Sequence, residues 1–331
     1  MARLLATVAT VLAALAVPAA ALGGATGLGP VDPAGAGAEG IADLYWFIMV
    51  FAAIVFLVVT VPLVVFIVRY RNGGRARDAE GPQIHGSTRL ELAWTIAPVL
   101  ILVAVASFTF YKLGGITDPA AAGQPRGAVA VEGRQFYWQF EYPNGVLAVN
   151  KLRLPLGRVT TLTITAPAGD VIHSFWVPAL AGKRDAIPGK PTSMKVRPDR
   201  LGRFRIVCGE FCGLQHAQMY GSVEVLPAEE FDGWLEDEAQ RQQATPQQLG
   251  EEIFAGACAI CHGVAGEALI GPALAGNPIV AQDDAVESVV REGRGEMPAV
   301  GQGWSDAELN ALTRYLEQRF GPEGGSDGSS G

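Results

Sequence analysis

Two long apolar runs dominate the hydrophobic pattern of the chain. No charged residue occurs from Leu44 to Val68, a run of 25 residues, or from Leu92 to Tyr111, a run of 20 residues. About 20 apolar residues are enough to cross a hydrocarbon core of about 30 Å as a helix. The pattern therefore predicts a transmembrane helix hairpin over residues 41–112.

A third apolar stretch, Leu4 to Leu22, lies at the N-terminus. It follows Arg3, contains Pro18 and ends in small residues, which is typical of a secretory signal peptide over residues 1–22. The alternative is a retained third span, because the length alone could cross a thin bilayer.

The loop between the two predicted spans is basic. It carries five arginines: Arg69, Arg71, Arg75, Arg77 and Arg89. The region before the first span has no Lys or Arg after Arg3. The positive-inside rule places the loop in the cytoplasm and everything after Lys112 outside. His85, in this loop, is expected to be solvated rather than a ligand.

The outer part of the chain changes its pattern near residue 229. Before that point, short β-rich runs alternate with Pro and Gly turns, which indicates a compact sandwich or barrel over residues 125–228. The predicted strands include Ala128–Val131, Thr160–Thr165, Arg203–Val207 and Gly221–Val225.

Residues beyond 229 have helical signals. An acidic, Gln-rich linker (229–245) precedes a helical domain (246–320) and a Gly/Ser-rich tail (321–331) that is expected to be disordered. Thr245 to Gln248 and Ser305 to Glu308 each have the spacing of a helix-capping box.

Two residues on the first helix of this domain, Gly250 and Phe254, lie four apart and therefore on one face. They offer a small gap and an aromatic ring that can receive Tyr315 and Leu316 of the last helix.

Composition limits the classes of function. The chain has 331 residues, 49% hydrophobic and 18% charged, with a net charge of −8. These values exclude a disordered or purely soluble chain, and the acidity disfavours nucleic acid as a partner. From Glu229 onward there are 19 acidic and 5 basic residues. This acidity could steer a basic partner or could serve solubility alone.

One cysteine pair forms the motif Cys258-Ala-Ile-Cys261-His262. Two thiols at this spacing can add to the vinyl groups of a haem, and the histidine can bind its iron. Met297 supplies a thioether for the opposite face of the haem. Iron with His and Met ligands has no open position, so it exchanges electrons rather than binding oxygen. A disulfide or a zinc knuckle is the alternative, but it gives Met297 no role.

The other cysteine pair lies in a cluster of soft ligands: His173, Cys208, Cys212, His216 and Met219. Two Cys and two His could hold a structural zinc. Thiolate, imidazole and thioether together are the ligands of a copper electron-transfer centre. Two thiolates could also bridge two metal ions.

From the first span to about Phe320, these motifs closely resemble cytochrome c oxidase subunit II in the version with a cytochrome c domain fused to its C-terminus. The resemblance implies a multidomain membrane protein: a two-helix transmembrane hairpin, an all-β cupredoxin-like barrel and an all-α cytochrome c domain. It implies a binuclear CuA centre with two copper ions. The implied ligands are His173, Cys208, Glu210 through its backbone carbonyl, Cys212, His216 and Met219.

The resemblance also implies further cofactors and partners. A covalent haem c would bind Cys258, Cys261, His262 and Met297, and the Glu210 side chain would face a Mg²⁺ ion at the interface with subunit I. Electrons from cytochrome c or a cytochrome bc complex would enter this subunit in the cytoplasmic (inner) membrane. Oxygen reduction and proton translocation would occur in its partner subunit I, so this chain would hold no catalytic residue of its own. Subunit III would be a second partner.

Two acidic residues match family positions. Asp185 resembles the residue that meets subunit I near the haem propionates, with an ordinary turn aspartate as the alternative. Glu91 resembles a glutamate at the mouth of a proton-uptake path. It could equally be a solvated carboxylate at the membrane edge.

The aromatic patch Phe136-Tyr137-Trp138 resembles the site where electrons enter in this family. Members that use a soluble cytochrome c often have Trp where this chain has Phe136, which puts the same route in doubt here. A tethered haem would reduce the need for it, because tethering gives a local concentration on the order of mM.

Two other functions fit parts of the pattern. One is a CuA-containing subunit of a membrane nitric oxide reductase. The other is a membrane-anchored copper-delivery protein, which would have no use for an attached haem. A quinol oxidase subunit is disfavoured because it would not need the copper ligands.

Overall fold

The structure is a computed structural model that describes residues 27, 29–70, 83, 85–118 and 127–321. The predicted signal peptide (1–22), three arginines of the predicted cytoplasmic loop (Arg71, Arg75 and Arg77) and the tail beyond residue 321 lie outside the described residues. The chain divides into two compact units, residues Gly40–Gly114 in the first and Asp32–Glu39 with the chain from Gly115 onward in the second.

The first unit contains the two apolar runs as helices. Helix α1 spans Ala36–Arg69 and helix α2 spans Thr88–Thr117. At 1.5 Å per residue they are about 50 and 45 Å long, longer than the hydrocarbon core of a bilayer. In the part of the chain that the structure describes, these are the two helices long and apolar enough to cross a membrane.

The two helices contact each other near the start of α1 and the end of α2. Lys112 Nζ lies 2.6 Å from Asp43 Oδ2, and the rings of Phe47 and Phe108 stack with centroids 4.2 Å apart. These contacts bring the beginning of one helix to the end of the next, as a hairpin requires.

The second unit begins with ten strands in two five-stranded sheets. The strands are β1 (Ala128–Arg134), β2 (Tyr137–Glu141), β3 (Leu147–Val149), β4 (Lys151–Pro155), β5 (Thr160–Thr165), β6 (His173–Trp176), β7 (Arg184–Ala186), β8 (Thr192–Val196), β9 (Gly202–Cys208) and β10 (Tyr220–Leu226). One sheet has the order β3-β2-β1-β5-β8 and the other β4-β10-β9-β6-β7.

The β1–β5 and β4–β10 pairs are parallel, and the other pairs are antiparallel. The predicted β-sandwich is therefore confirmed. We call it the copper domain, after its proposed ligand.

Helices follow the copper domain without a break. They are α3 (Ala228–Ala244), α4 (Pro246–Ile253), α5 (Ala259–His262), α6 (Asp283–Glu292) and α7 (Asp306–Phe320). A π-helical turn, Phe254–Cys258, joins α4 to α5. The predicted linker is thus mostly the helix α3, and the residues from 246 to 320, which we call the haem domain, are helical as predicted.

Strand β2 contributes side chains to the cores of both domains, because its successive side chains point to opposite faces. Trp138 and Phe140 point into the core of the sandwich and are fully buried. Tyr137 points to the opposite face, as the period of two requires. There it is fully buried in a second core made chiefly of haem-domain residues, including Leu312 and Trp304.

The two predicted capping boxes differ. Ser305 caps α7 with reciprocal hydrogen bonds to Glu308, as predicted. Thr245 precedes α4, but its side chain makes no capping hydrogen bond. A reason is visible in the backbone: Thr245 also ends α3, and its N–H bonds the Arg241 carbonyl.

Candidate functional site

Five of the soft side chains predicted as metal ligands converge at one end of the copper domain. His173 begins β6 and Cys208 ends β9, two strands that pair through Phe175 and Cys208. Cys212, His216 and Met219 follow on the loop that leads to β10. Ligand atoms of His173, Cys208 and Cys212 all lie within 4.8 Å of one another.

The Cys212 sulfur is the centre of this cluster. It lies 3.9 Å from Cys208 Sγ, 3.6 Å from His216 Nδ1 and 3.7 Å from Met219 Sδ. Cys208 Sγ also lies 3.2 Å from the Glu210 carbonyl oxygen. Thiolate, imidazole, thioether and carbonyl groups therefore face a common point, which suits a soft metal such as copper.

His173 has one ring nitrogen free for a metal. Nε2 lies 3.2 Å from Asp170 Oδ1, whereas Nδ1 is buried and has no hydrogen-bond partner among the described residues. An unpaired buried nitrogen is costly unless it binds something. A carboxylate on the other nitrogen is the usual partner of a metal-binding histidine.

The two thiols have opposite pKa shifts. A hydrogen bond between the sulfurs lowers the pKa of Cys208 to about 3, with a further contribution from His173. The same hydrogen bond, together with burial, raises the pKa of Cys212. A metal bound by both sulfurs would require both thiols to lose their protons.

A second candidate site lies in the haem domain. A cavity of about 390 Å³ is lined by Cys258, Cys261, His262 and Met297, among other residues. The two cysteines form no disulfide. Burial raises the pKa of the Cys258 thiol to about 12. Because neither sulfur is part of a disulfide, both are available to a bound group.

A hydrogen bond to the backbone fixes the orientation of the His262 ring. Its Nδ1 lies 2.8 Å from the Pro272 carbonyl oxygen, and its Nε2 has no hydrogen bond to any residue that the structure describes. A Cβ on Gly271 would lie 2.7 Å from His262 Cε1, so glycine is required beside the ring. These residues fit a haem held through two thioethers, a histidine and a methionine.

Gln135 joins the two sites. This residue lines the haem-domain cavity, and its Nε2 donates a 2.6 Å hydrogen bond to the Cys212 carbonyl. Its backbone N–H donates to Asp170, the carboxylate that holds His173. One residue thus touches the cavity and two supports of the metal cluster.

The three residues of the predicted aromatic patch lie in different environments. Phe136 is half-buried and lines the haem-domain cavity. Tyr137 is fully buried between the two domains, and Trp138 is fully buried in the sandwich with its ring 6.2 Å from that of His173.

The three predicted acidic residues have different surroundings. Asp185 is in strand β7 rather than in a turn, and accepts a 2.7 Å hydrogen bond from Ser174. That hydrogen bond, with the charges of Lys183 and Arg184, lowers the pKa of Asp185. Glu210 is exposed on the loop between β9 and β10, and Glu91 is exposed in the first turn of α2.

The sequence reasoning missed Asp170, Gln135 and the Pro272 carbonyl. Asp170 stands three residues before His173, and this spacing was a usable signal. Gln135 and Pro272 act through contacts with residues 77 and 10 positions away, which a sequence pattern does not reveal.

Three family models match the chain in order. They are the cytochrome c oxidase subunit II transmembrane domain at residues 25–111, the subunit II periplasmic domain at 145–226, and subunit III of cbb3-type cytochrome c oxidase at 245–316. The last of these corresponds to a cytochrome c domain.

Relatives match over most of the chain. Cytochrome c oxidase subunit 2 of Alkalihalophilus pseudofirmus is 32% identical, with 88% of this chain and 91% of the relative covered. The Synechocystis protein of the same name is 32% identical, with 63% of this chain and 75% of that protein covered. Quinol oxidase subunit 2 of Bacillus subtilis is 28% identical, with 70% of this chain and 73% of that protein covered.

Among solved structures, the periplasmic domain of subunit II of the Bradyrhizobium japonicum cytochrome oxidase matches with 27% identity and a TM-score of 0.34. The match covers 36% of this chain and 98% of that one.

Two apolar helices, a β-sandwich that matches the subunit II periplasmic domain, and a C-terminal region that matches a cytochrome c domain define a membrane-anchored redox subunit. The chain belongs to the cytochrome c oxidase subunit II family. It is therefore a subunit of an oxidoreductase and a partner in a membrane-associated oxidase complex.

Proposed function

We propose that this chain is the electron-input subunit of a respiratory terminal oxidase that reduces oxygen to water and translocates protons. Electrons from an external donor would reach a covalent haem c, then a binuclear copper centre, then subunit I. Both groups supply one-electron transfer when bound. The protein's part is to hold them, orient them and keep them close.

The contact made by Gln135 is the observation that carries this proposal. A single residue lines the cavity for one group and donates a 2.6 Å hydrogen bond to the loop that carries the ligands of the other. Two redox sites in such contact can exchange electrons without diffusional encounter.

The proposed ligands divide between the two sites. The side chains of His173, Cys208, Cys212, His216 and Met219, with the Glu210 carbonyl, would hold copper, and Asp170 would orient His173. Cys258 and Cys261 would anchor the haem, and His262 and Met297 would bind its iron. The domain division proposed from the sequence, with the copper domain at 125–228 and the cytochrome c domain at 246–320, puts one site in each.

The loop between β9 and β10, which carries most of the proposed copper ligands, has features of a surface that binds a partner. Phe211 and Leu214 on this loop are 76% and 93% exposed, and large apolar side chains so exposed are typical of an interface. Subunit I is the proposed partner there, with Glu210 near a Mg²⁺ ion and Asp185 at the same interface. Subunit III and a cytochrome c or cytochrome bc donor complete the proposed assembly in the inner membrane.

Removing the haem attachment tests the order of the relay. In the purified oxidase complex, the double variant Cys258→Ala/Cys261→Ala should lose covalent haem from this chain and keep its copper absorption. Reduced donor mixed rapidly with the wild type should reduce the haem before the copper. In the variant, copper reduction should slow by at least tenfold.

Two results would contradict the proposal. Copper reduction at the wild-type rate in the variant would remove the haem from the route. A wild-type chain that carries no covalent haem would remove the relay altogether.

A further inference from the structure

The segment that follows the proposed haem ligand Met297 is irregular. Residues Met297–Trp304, which we call the ligand loop of the haem domain, connect α6 to α7 without forming a helix or strand of their own. Within the haem domain, Met297 exchanges two backbone hydrogen bonds with Arg294, Gly301 donates one to Val290, and Arg291 donates one to the Trp304 carbonyl. Three further bonds join near neighbours within the loop. Among the described residues, no haem-domain group donates to the carbonyls of Val300 and Gln302.

The copper domain supplies further hydrogen bonds to this loop. Tyr137 Oη donates to the Val300 carbonyl at 2.9 Å and accepts from Trp304 Nε1 at 2.9 Å. Arg134 donates to the Gln302 carbonyl. These three bonds come from the ends of two paired strands, β1 and β2, and hold alternate residues of the loop.

The residues that make these bonds are buried. Tyr137 is fully buried, Trp304 is 3% exposed and Arg134 is 3% exposed. Water therefore does not compete for the hydrogen bonds, and each group would be left unpaired if the loop moved away. Burial also raises the pKa of Tyr137, so its hydroxyl stays protonated and able to donate.

The same strands approach the haem-domain cavity. Gln135 and Phe136, which lie between Arg134 and Tyr137 in the chain, line the cavity that Met297 also lines. A second contact extends the interface: Gln139 Nε2 donates to Glu308 Oε1 at 2.8 Å. The copper domain thus contacts the cavity wall, the ligand loop and the start of α7.

We propose that the copper domain holds the ligand loop in the conformation that keeps Met297 on the haem iron, with Tyr137 as the positioning residue. This inference rests on the proposed function, since it requires a haem in the cavity. Its consequence is that the axial ligation of the haem depends on contact with the copper domain. His/Met ligation raises the reduction potential, so the potential stays high only while the two domains remain in contact.

Displacement of Met297 by imidazole tests the proposal in the purified full-length subunit. Tyr137→Phe removes only the hydroxyl that bonds Val300 and Trp304. We expect imidazole to bind the ferric haem at least about fivefold more tightly than in the wild type, because the Met-bound form loses both hydrogen bonds of the Tyr137 hydroxyl. The absorption band of the iron–methionine bond should weaken in proportion.

A matched control lies in the same domain. Tyr142 is also buried, and its hydroxyl makes two hydrogen bonds, both with the backbone of Arg153 within the copper domain. Tyr142→Phe should leave imidazole affinity unchanged. Arg134→Gln, which removes the bond to Gln302, should raise the affinity in the same direction as Tyr137→Phe.

The outcomes separate this inference from the proposed function. Equal imidazole affinity in the wild type, Tyr137→Phe and Arg134→Gln would overturn the positioning role while leaving the haem in place. An equal rise in Tyr137→Phe and Tyr142→Phe would also overturn it, since a general loosening would then explain the effect. A wild-type subunit with no covalent haem would overturn the proposed function instead.

Discussion

His173 and His262 are each held by an acceptor on one ring nitrogen. Asp170 serves His173, and the Pro272 carbonyl serves His262. The ligand types could be predicted from the sequence, because Cys, His and Met recur there at short spacings. The acceptors could not, because a carbonyl or a turn carboxylate becomes a partner only after the loop has folded.

The charged form of Glu252 is disfavoured by its surroundings in the folded protein. It lies in a polar cleft between the copper domain and helices α3 and α4, lined also by Lys151, Glu238 and Arg241. Burial, with repulsion by Glu238, raises the pKa of Glu252; Lys151, Arg153 and Arg241 oppose the shift without cancelling it.

We expect Glu252→Gln to stabilise the chain at neutral pH and not at pH 4. Because the folded-state pKa is raised, stability from this group is full below the ordinary value of 4.5 and is lost as the pH rises through the folded value. Thermal unfolding at the two pH values measures this. The exposed neighbour Glu251, changed to Gln, is the control, and equal gains in both variants would contradict the expectation.

The helices and strands were predictable where a local signal defines them. Thr160–Thr165 is a strand with the predicted bounds, and Ser305 begins α7 as its capping box indicates. Thr245 has the same local signal, yet its side chain makes no capping bond, because α3 continues up to it. A cap therefore depends on the preceding element as well as on the sequence of the helix itself.

Ser305→Ala should lower the free energy of unfolding of the haem domain by about 1 kcal/mol, the usual value of an N-terminal cap. Ser305 Oγ accepts from the Glu308 N–H and donates to its carboxylate at 2.7 Å. Thr245→Ala removes no such bond and should change the free energy of unfolding by less than about 0.5 kcal/mol. Denaturant unfolding followed by circular dichroism compares the two. Similar losses would show that the capping bond is not the cause.

Gly250 should not tolerate a methyl group. Gly→Ala in a helix interior ordinarily raises the free energy of unfolding by up to about 1 kcal/mol. At this position, however, a Cβ would overlap the Ala311 carbonyl and lie 2.9 Å from Tyr315 Cβ. Overpacking of this kind costs about 1–3 kcal/mol.

Gly233→Ala in α3 is the control for Gly250→Ala, since its Cβ would meet nothing within 4 Å. We expect the unfolding temperature to fall for Gly250→Ala and to hold or rise for Gly233→Ala. A rise in both would contradict the close approach of α4 and α7 at this glycine.

At the scale of the whole molecule, the sequence predicted the classes of the domains and not the contact between two of them. Each of the three was predicted from local signals: uninterrupted apolar runs for the hairpin, short β-rich runs between turns for the sandwich, and capping boxes for the helical domain. The interface depends on Tyr137 and Trp304, which are 167 residues apart, and on which face of β2 is covered. Phe136 and Tyr137 were predicted as a patch where electrons enter; the structure buries Tyr137 under the haem domain of the same chain.

Metal and haem content of the purified chain tests the central proposal most directly. We predict two copper ions and one covalent haem per chain, with a near-infrared copper band that survives loss of the haem. Zinc between Cys208 and Cys212 in place of copper would contradict the account, because the relay would then have no second redox centre.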